Sequence, residues 1–182
     1  NNNNSDRYRL LGLSLKPWKD AGKFILICGQ HDKSLQWQDM PRMSTWIMNT
    51  IDEIQKYTDL PIVFRPHPRC PLQDIERQYQ NVYRDNPVKI TGSYDDFNLS
   101  FKDCHAVISW SSNPGPLAVI NGVPVFTGPS SLAYNVANTD LAKIEYPDKP
   151  NRKQWLNDYA HTEFTIDEIT QGIPLKNLTP ML

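Results

Sequence analysis

The chain has no apolar run longer than Phe24-Ile-Leu-Ile-Cys28, far short of the ~20 residues that a bilayer-spanning helix needs. No secretory leader pattern stands near Asn1, so a cytoplasmic setting is expected. Charge of one sign is also lacking. The 19 Lys and Arg against 20 Asp and Glu give a net charge of −1. The basic residues are scattered rather than clustered, which argues against nucleic-acid or anionic-lipid partners. Cysteine is sparse: Cys28, Cys70 and Cys104 are an odd number at wide spacing, not a disulfide framework. His67-Pro-Arg-Cys70 offers two metal ligands without a second pair, so no metal site is expected. The three N-x-S/T triplets at Asn3, Asn98 and Asn177 carry no meaning outside a secretory context. The G-x-S-x-G, G-x-x-x-x-G-K-[ST] and G-x-G-x-x-G patterns are all missing. Their absence counts against hydrolase, P-loop and dinucleotide readings, and no cofactor is expected.

What is present is alternation. Phe24 to Cys28 is short, apolar and closed by Gly29, as a buried strand is. Met43, Ile47, Ile51 and Ile54 follow helical spacing after a start at Asp39 and Pro41. Leu60 to Phe64 reads as a second strand, stopped by Pro66 and Pro68. A polar helix is expected over Leu72 to Gln80, a strand over Val88 to Thr91, and a short helix over Asp95 to Lys102. A strand then runs from His105 to Trp110, a helix from Leu117 to Ile120 with Asn121-Gly122 as its stop, and a fifth strand from Val123 to Phe126. The βαβαβαβαβ order predicts an α/β, Rossmann-like parallel sheet with helices on both faces. The expected layout is a polar leader over 1–22, a nucleotide-binding domain over 23–145 and a helical extension over 146–182. Trp155 to Tyr159 and Ile166 to Gln171 read as short helices in that extension.

Open parallel sheets bind ligands beyond the carboxyl ends of their strands, and the polar clusters of this sequence fall there. They are Gly29-Gln30-His31, Arg65 to Arg69, Gly92-Ser93, Ser111 to Gly115, and Thr127 to Ser131. Ser111, Ser112 and Asn113 stand at a helix start that favours an anion, and Gly115 would admit a ligand to the backbone. Simple N-capping by either serine is the structural alternative. His67, fixed between two prolines and flanked by Arg65 and Arg69, suits a phosphate clamp and could pass a proton. The alternative there is a surface turn with solvated arginines. Trp37 and Trp110, near strand ends, are packing residues or platforms for a sugar or base.

The His67-Pro68 dipeptide after one strand and the Ser111-Ser112 pair after a later one resemble the donor domain of GT-B glycosyltransferases with CMP- or CDP-linked donors. Sialyltransferases, capsule Kdo transferases and CDP-glycerol polymerases are of this kind. Gly122-Val-Pro-Val125 and the loop from Gly128 to Tyr134 fit the continuation. The likeness spans roughly Phe24 to Tyr134, and the run is also similar to sugar-transferase-like proteins of phages and marine environments. It implies that His67, Ser111 and Ser112 bind the phosphate of a nucleotide-sugar donor; Gly29, Gln30, Ser93, Ser130, Ser131 and Tyr134, in the polar stretches that follow strands, are expected around the donor. Where such enzymes carry an acidic residue after the serine pair, this chain has Pro116-Leu117-Ala118. The resemblance also implies an acceptor, unnamed by the sequence, and an acceptor-binding half supplied by an N-terminal domain or another copy. The alternatives are a non-catalytic nucleotide- or sugar-binding module and a nucleotide-sugar epimerase-like enzyme.

Overall fold

The computed structural model describes residues 6–92 and 96–178. In chain order the principal elements are α1 (Asp6–Leu10), β1 (Phe24–Cys28), α2 (Met43–Ile54), β2 (Ile62–Arg65) and β3 (Val82–Arg84). There follow β4 (Cys104–Ser109), α3 (Pro114–Ile120), β5 (Val125–Thr127), α4 (Lys153–Ala160), α5 (Ile166–Thr170) and α6 (Ile173–Leu178). Contacts divide the chain into one unit of Lys16–Pro150 and another of Asn1–Leu15 with Asn151–Leu182.

The larger unit is an α/β Rossmann-like domain: five strands, all parallel, in the order β3-β2-β1-β4-β5. β1 lies at the centre and is buried almost throughout, which is why its sequence is apolar without alternation. Its two faces serve different helices. Ile25 and Ile27 join Ile62, Phe64, Ala106, Ile108 and Phe126 in one core with Met43, Ile47, Ile51 and Ile54 of α2. The i, i+4 spacing of those α2 residues makes one continuous stripe. The first amide of α2, Met43 N, donates to Asp32 Oδ1 at 2.7 Å, so a loop carboxylate caps the helix from eleven residues away. On the other face α3 packs so closely that a Cβ on Gly115 would lie 3.0 Å from Ser109 Oγ and 3.6 Å from Thr127 Cγ2. Helices therefore cover both faces, as the rule of right-handed crossovers predicts for connections leaving β1 and β4 in opposite directions.

Three expected elements differ. Over Leu72 to Gln80 only a 3-10 turn forms, at Glu76–Gln78, because Asp74 adopts φ 51°, a left-handed conformation that no α-helix continues through. The strand expected at Val88 to Thr91 is a single antiparallel bridge between Lys89 and Phe97, and the true third strand is Val82–Arg84. Asp95 lies outside the described residues. From 96 to 102 there is no helix, and Phe101 instead turns inward as a buried side chain.

In the smaller unit α1 packs against α4. Arg7 is its hub: Nε donates to Ala160 O at 2.7 Å, Nη2 reaches Glu168 Oε2 at 2.9 Å, and the guanidinium lies 5.0 Å from the Phe164 ring. Thr165 and Glu168 form a reciprocal capping box that starts α5. Among the described residues no helix is long and apolar enough to cross a membrane.

Candidate anion-binding cleft

The chain order reverses between β1 and β4: from β1 it proceeds to β2 on one side and returns to β4 on the other. A cleft of about 820 Å³ opens there, lined by the loops that follow β1, β2 and β4. It brings together Gly29, Gln30, Arg65, His67, Arg69, Ser111, Ser112 and Asn113 of the residues expected from sequence. His31, Lys33, Ser34 and Gln36 join them from the loop after β1, and Pro87, Phe97 and Leu99 from the segment before β4. Three cations and two imidazoles line the cleft, and no carboxylate does among the described residues.

Gln30 ties two of the loops together. Its side chain is buried, and Oε1 accepts from both Ser111 N at 3.2 Å and Ser111 Oγ at 3.0 Å. That fixes the carboxamide and turns Nε2 away from Ser111. Gln30 Nε2 and Ser112 Oγ are both enclosed and lack a hydrogen-bond partner. A buried polar group left in that state costs about 1–3 kcal/mol, so a ligand that satisfied either would recover part of it.

His67 and His31 face each other edge to face, with ring centroids 5.5 Å apart and planes at 80°. His67 Nδ1 accepts from Arg69 N at 3.1 Å, and His31 Nδ1 from Lys33 N at 3.0 Å. Each neutral ring therefore carries its proton on Nε2 as a donor. Arg69 and Lys33 are exposed at the rim.

Arg65 is placed differently from a phosphate clamp. Its guanidinium is buried: Nη1 is engaged with the Asp85 carboxylate and Nη2 with Asn98 O, and Nη2 is also 3.1 Å from Asn98 Oδ1. The side chain braces the segment before β4 against β2, and Asp85 balances its charge.

The helix start also differs from the expected amide cradle. Positions 114 and 116 are prolines without an N–H, and Gly115 N donates to Ser112 O at 3.0 Å. Gly115 is buried and its missing side chain makes room for β4 and β5, not for a ligand. Ser130, Ser131 and Tyr134 do not line the cleft. They follow the outermost strand β5, and Ser131 Oγ accepts from Ala133 N within its own turn at 3.2 Å. Ser93 lies outside the described residues. Trp110 and Trp37 meet edge to face at 6.1 Å, Trp37 being buried. Trp110 also fills the space beside Gly128, where a Cβ would come within 2.4 Å of its ring. Both are packing residues.

Cys28 stands at the floor of the cleft, and burial pushes its thiol well above the ordinary range. That direction disfavours the thiolate. Among the described residues no three His, Cys, Asp or Glu side chains gather to hold a metal. No protein-family model matches the sequence, and neither a curated protein nor a solved structure matches it.

Proposed function

We propose that the Lys16–Pro150 unit binds the phosphate of a nucleotide-activated sugar in this cleft, as the donor-binding domain of a GT-B-type glycosyltransferase. The observation that carries the reading is the lining of cations, imidazoles and hydroxyls, with no carboxylate among the described residues, at the switch point of a parallel sheet. Such a site attracts an oxyanion and repels a bare cation. His67 and the rim residues Arg69 and Lys33 would bind the phosphate and stabilise the negative charge that grows as the nucleotide departs. Ser112 and the Ser111–Gln30 pair would form the opposite wall. Arg65 contributes by holding the cleft's shape.

Among the described residues no carboxylate lines the cleft, so a carboxylate base for the acceptor would come from elsewhere, such as another domain or another chain. The same feature favours, as a second reading, a module that binds a nucleotide or nucleotide sugar without turning it over. An epimerase-like activity has less support, since no tyrosine or carboxylate lines the cleft among the described residues.

A thermal-shift panel of CMP, CDP, UDP and GDP on wild type and His67→Ala tests the reading. At a hundredfold excess over Kd, a bound nucleotide adds about 2.7 kcal/mol of stability. Stabilisation of wild type by at least one nucleotide, much reduced in His67→Ala, is expected. No shift with any of them, or an equal shift in the variant, would overturn it.

A further inference from the structure

We infer that Gln30 is a positioning residue of the cleft: its carboxamide is a side-chain rung that sets the separation of the loops after β1 and β4. The inference rests on the phosphate reading above and adds a residue that acts on the ligand through another. β1 and β4 pair in register up to Cys28 and Ser109. On the far side of each strand the backbone bonding runs one step further. Gly29 N donates to Arg65 O at 2.9 Å, and Gly128 N donates to Trp110 O at 2.9 Å. Between β1 and β4 themselves a side chain takes over. Gln30 and Ser111 each stand two residues past the last registered pair, and Gln30 Oε1 accepts from Ser111 N at 3.2 Å and from Ser111 Oγ at 3.0 Å. The chain order reverses at this point, so the two loops part there. Gln30 is only 5% exposed, and water has little access to compete for the rung.

The protons can be assigned from the bonds. A backbone N–H only donates, so the carboxamide atom that faces Ser111 is the oxygen. That oxygen only accepts, so the Ser111 hydroxyl gives its one proton to Gln30 as well. Ser111 Oγ then has no proton left for a phosphate oxygen, and its part in the cleft is to hold the turn that carries Ser112 and Asn113. The rung leaves Gln30 Nε2 enclosed and without a partner. A methionine of similar length would fill the same space with no polar atom to leave unpaired. What it could not do is hold Ser111. The carboxamide is therefore accounted for by the tie between the loops, and packing alone does not call for it.

Titration calorimetry on wild type, Gln30→Met, Ser111→Ala and the double variant tests the role. The probes are whichever of CMP, CDP, UDP and GDP binds wild type most tightly, and its nucleoside, each titrated well below the melting point of the variant. Gln30→Met should weaken the nucleotide roughly three- to tenfold, the scale of one hydrogen bond between neutral groups, and leave the nucleoside unchanged. Ser111→Ala should weaken the nucleotide less, because Ser111 N still bonds Gln30, and should add nothing in the Gln30→Met background. A Gln30→Met protein that binds like wild type, or that loses nucleotide and nucleoside alike, would overturn the inference. So would one that does not fold, since the rung would then be structural. A Ser111→Ala loss of the same size in both backgrounds would put the Ser111 hydroxyl on the ligand and overturn it too. In each of those cases the nucleotide still binds wild type and the phosphate reading stands. If no nucleotide binds wild type, that reading fails and the role of Gln30 fails with it.

Discussion

Removing the Asp85 carboxylate should destabilise the fold and leave phosphate affinity intact. The Arg65 side chain is 7% exposed and Asp85 39% exposed, so the pair is buried on one side only. Deleting one partner of a fully buried pair costs about 3–5 kcal/mol, chiefly because the other charge is stranded. Here water can enter where Asp85 was, and Asn98 still holds Nη2, so Asp85→Ala should cost about 2 kcal/mol. For a chain of this size that is a fall in Tm of roughly 4–8 °C. Arg65→Met added to Asp85→Ala should regain part of the loss, because the stranded charge goes with it. Calorimetric unfolding gives the Tm values, and titration with a bound nucleotide gives affinities. An unchanged Tm for Asp85→Ala, or a loss of nucleotide affinity as large as that of His67→Ala, would refute the view that Arg65 braces the cleft instead of gripping the ligand.

Other consequences can be checked separately. Nucleotide affinity should be the same in EDTA as in Mg²⁺, since among the described residues no carboxylate lines the cleft to hold a bridging cation; a tenfold loss in EDTA would contradict this. In native protein, iodoacetamide should modify the half-buried Cys70 and spare Cys28 and Cys104. Burial pushes the Cys104 thiol up to about 12 and that of Cys28 further still. Peptide mass mapping before and after unfolding reads this, and early labelling of Cys28 would count against it. In the smaller unit, hydrogen bonding to Arg7 holds the Glu168 carboxyl down at about 2, against 4.5 for an unperturbed glutamate. Its stabilising contribution is full above that unperturbed value and is lost as the pH falls towards 2. The stability gap between wild type and Glu168→Gln should therefore narrow below about pH 4.5 in denaturant titrations. A gap constant down to pH 2.5 would disprove the coupling.

The central strands and the helices that cover them were legible because each carries a continuous apolar signal: β1, β4 and the α2 stripe are of this kind. The edge was not. β3 is three residues long with only Val82 buried, so it leaves no run to recognise. Nearby Val88 and Ile90 look like strand residues yet are 60% and 63% exposed. Nor does sequence show that Asp74 takes a left-handed conformation, which is what turns an apparent helix into a single 3-10 turn.

Legibility at the cleft divides along similar lines. That the clusters after β1, β2 and β4 would converge follows from the rule for parallel sheets. Which side chains remain available depends on long-range partners. Arg65 is engaged by residues 20 and 33 positions away, and nothing local to the Arg65 to Arg69 segment foretells it. The glycine at 115 reads equally well as room for a ligand or room for a strand, and contact with Ser109 decides for the strand. His31 stood in a recognised cluster without a role. The structure places it in the cleft lining, edge to face with His67.

The most direct test of the account is calorimetric titration of wild-type protein with CMP, CDP, UDP and GDP beside their unphosphorylated nucleosides at two salt concentrations. A phosphate-gripping cleft should bind at least one nucleotide at least tenfold more tightly than its nucleoside, with an affinity that falls as salt rises. Equal affinity for nucleoside and nucleotide, or no binding of any nucleotide, would contradict it.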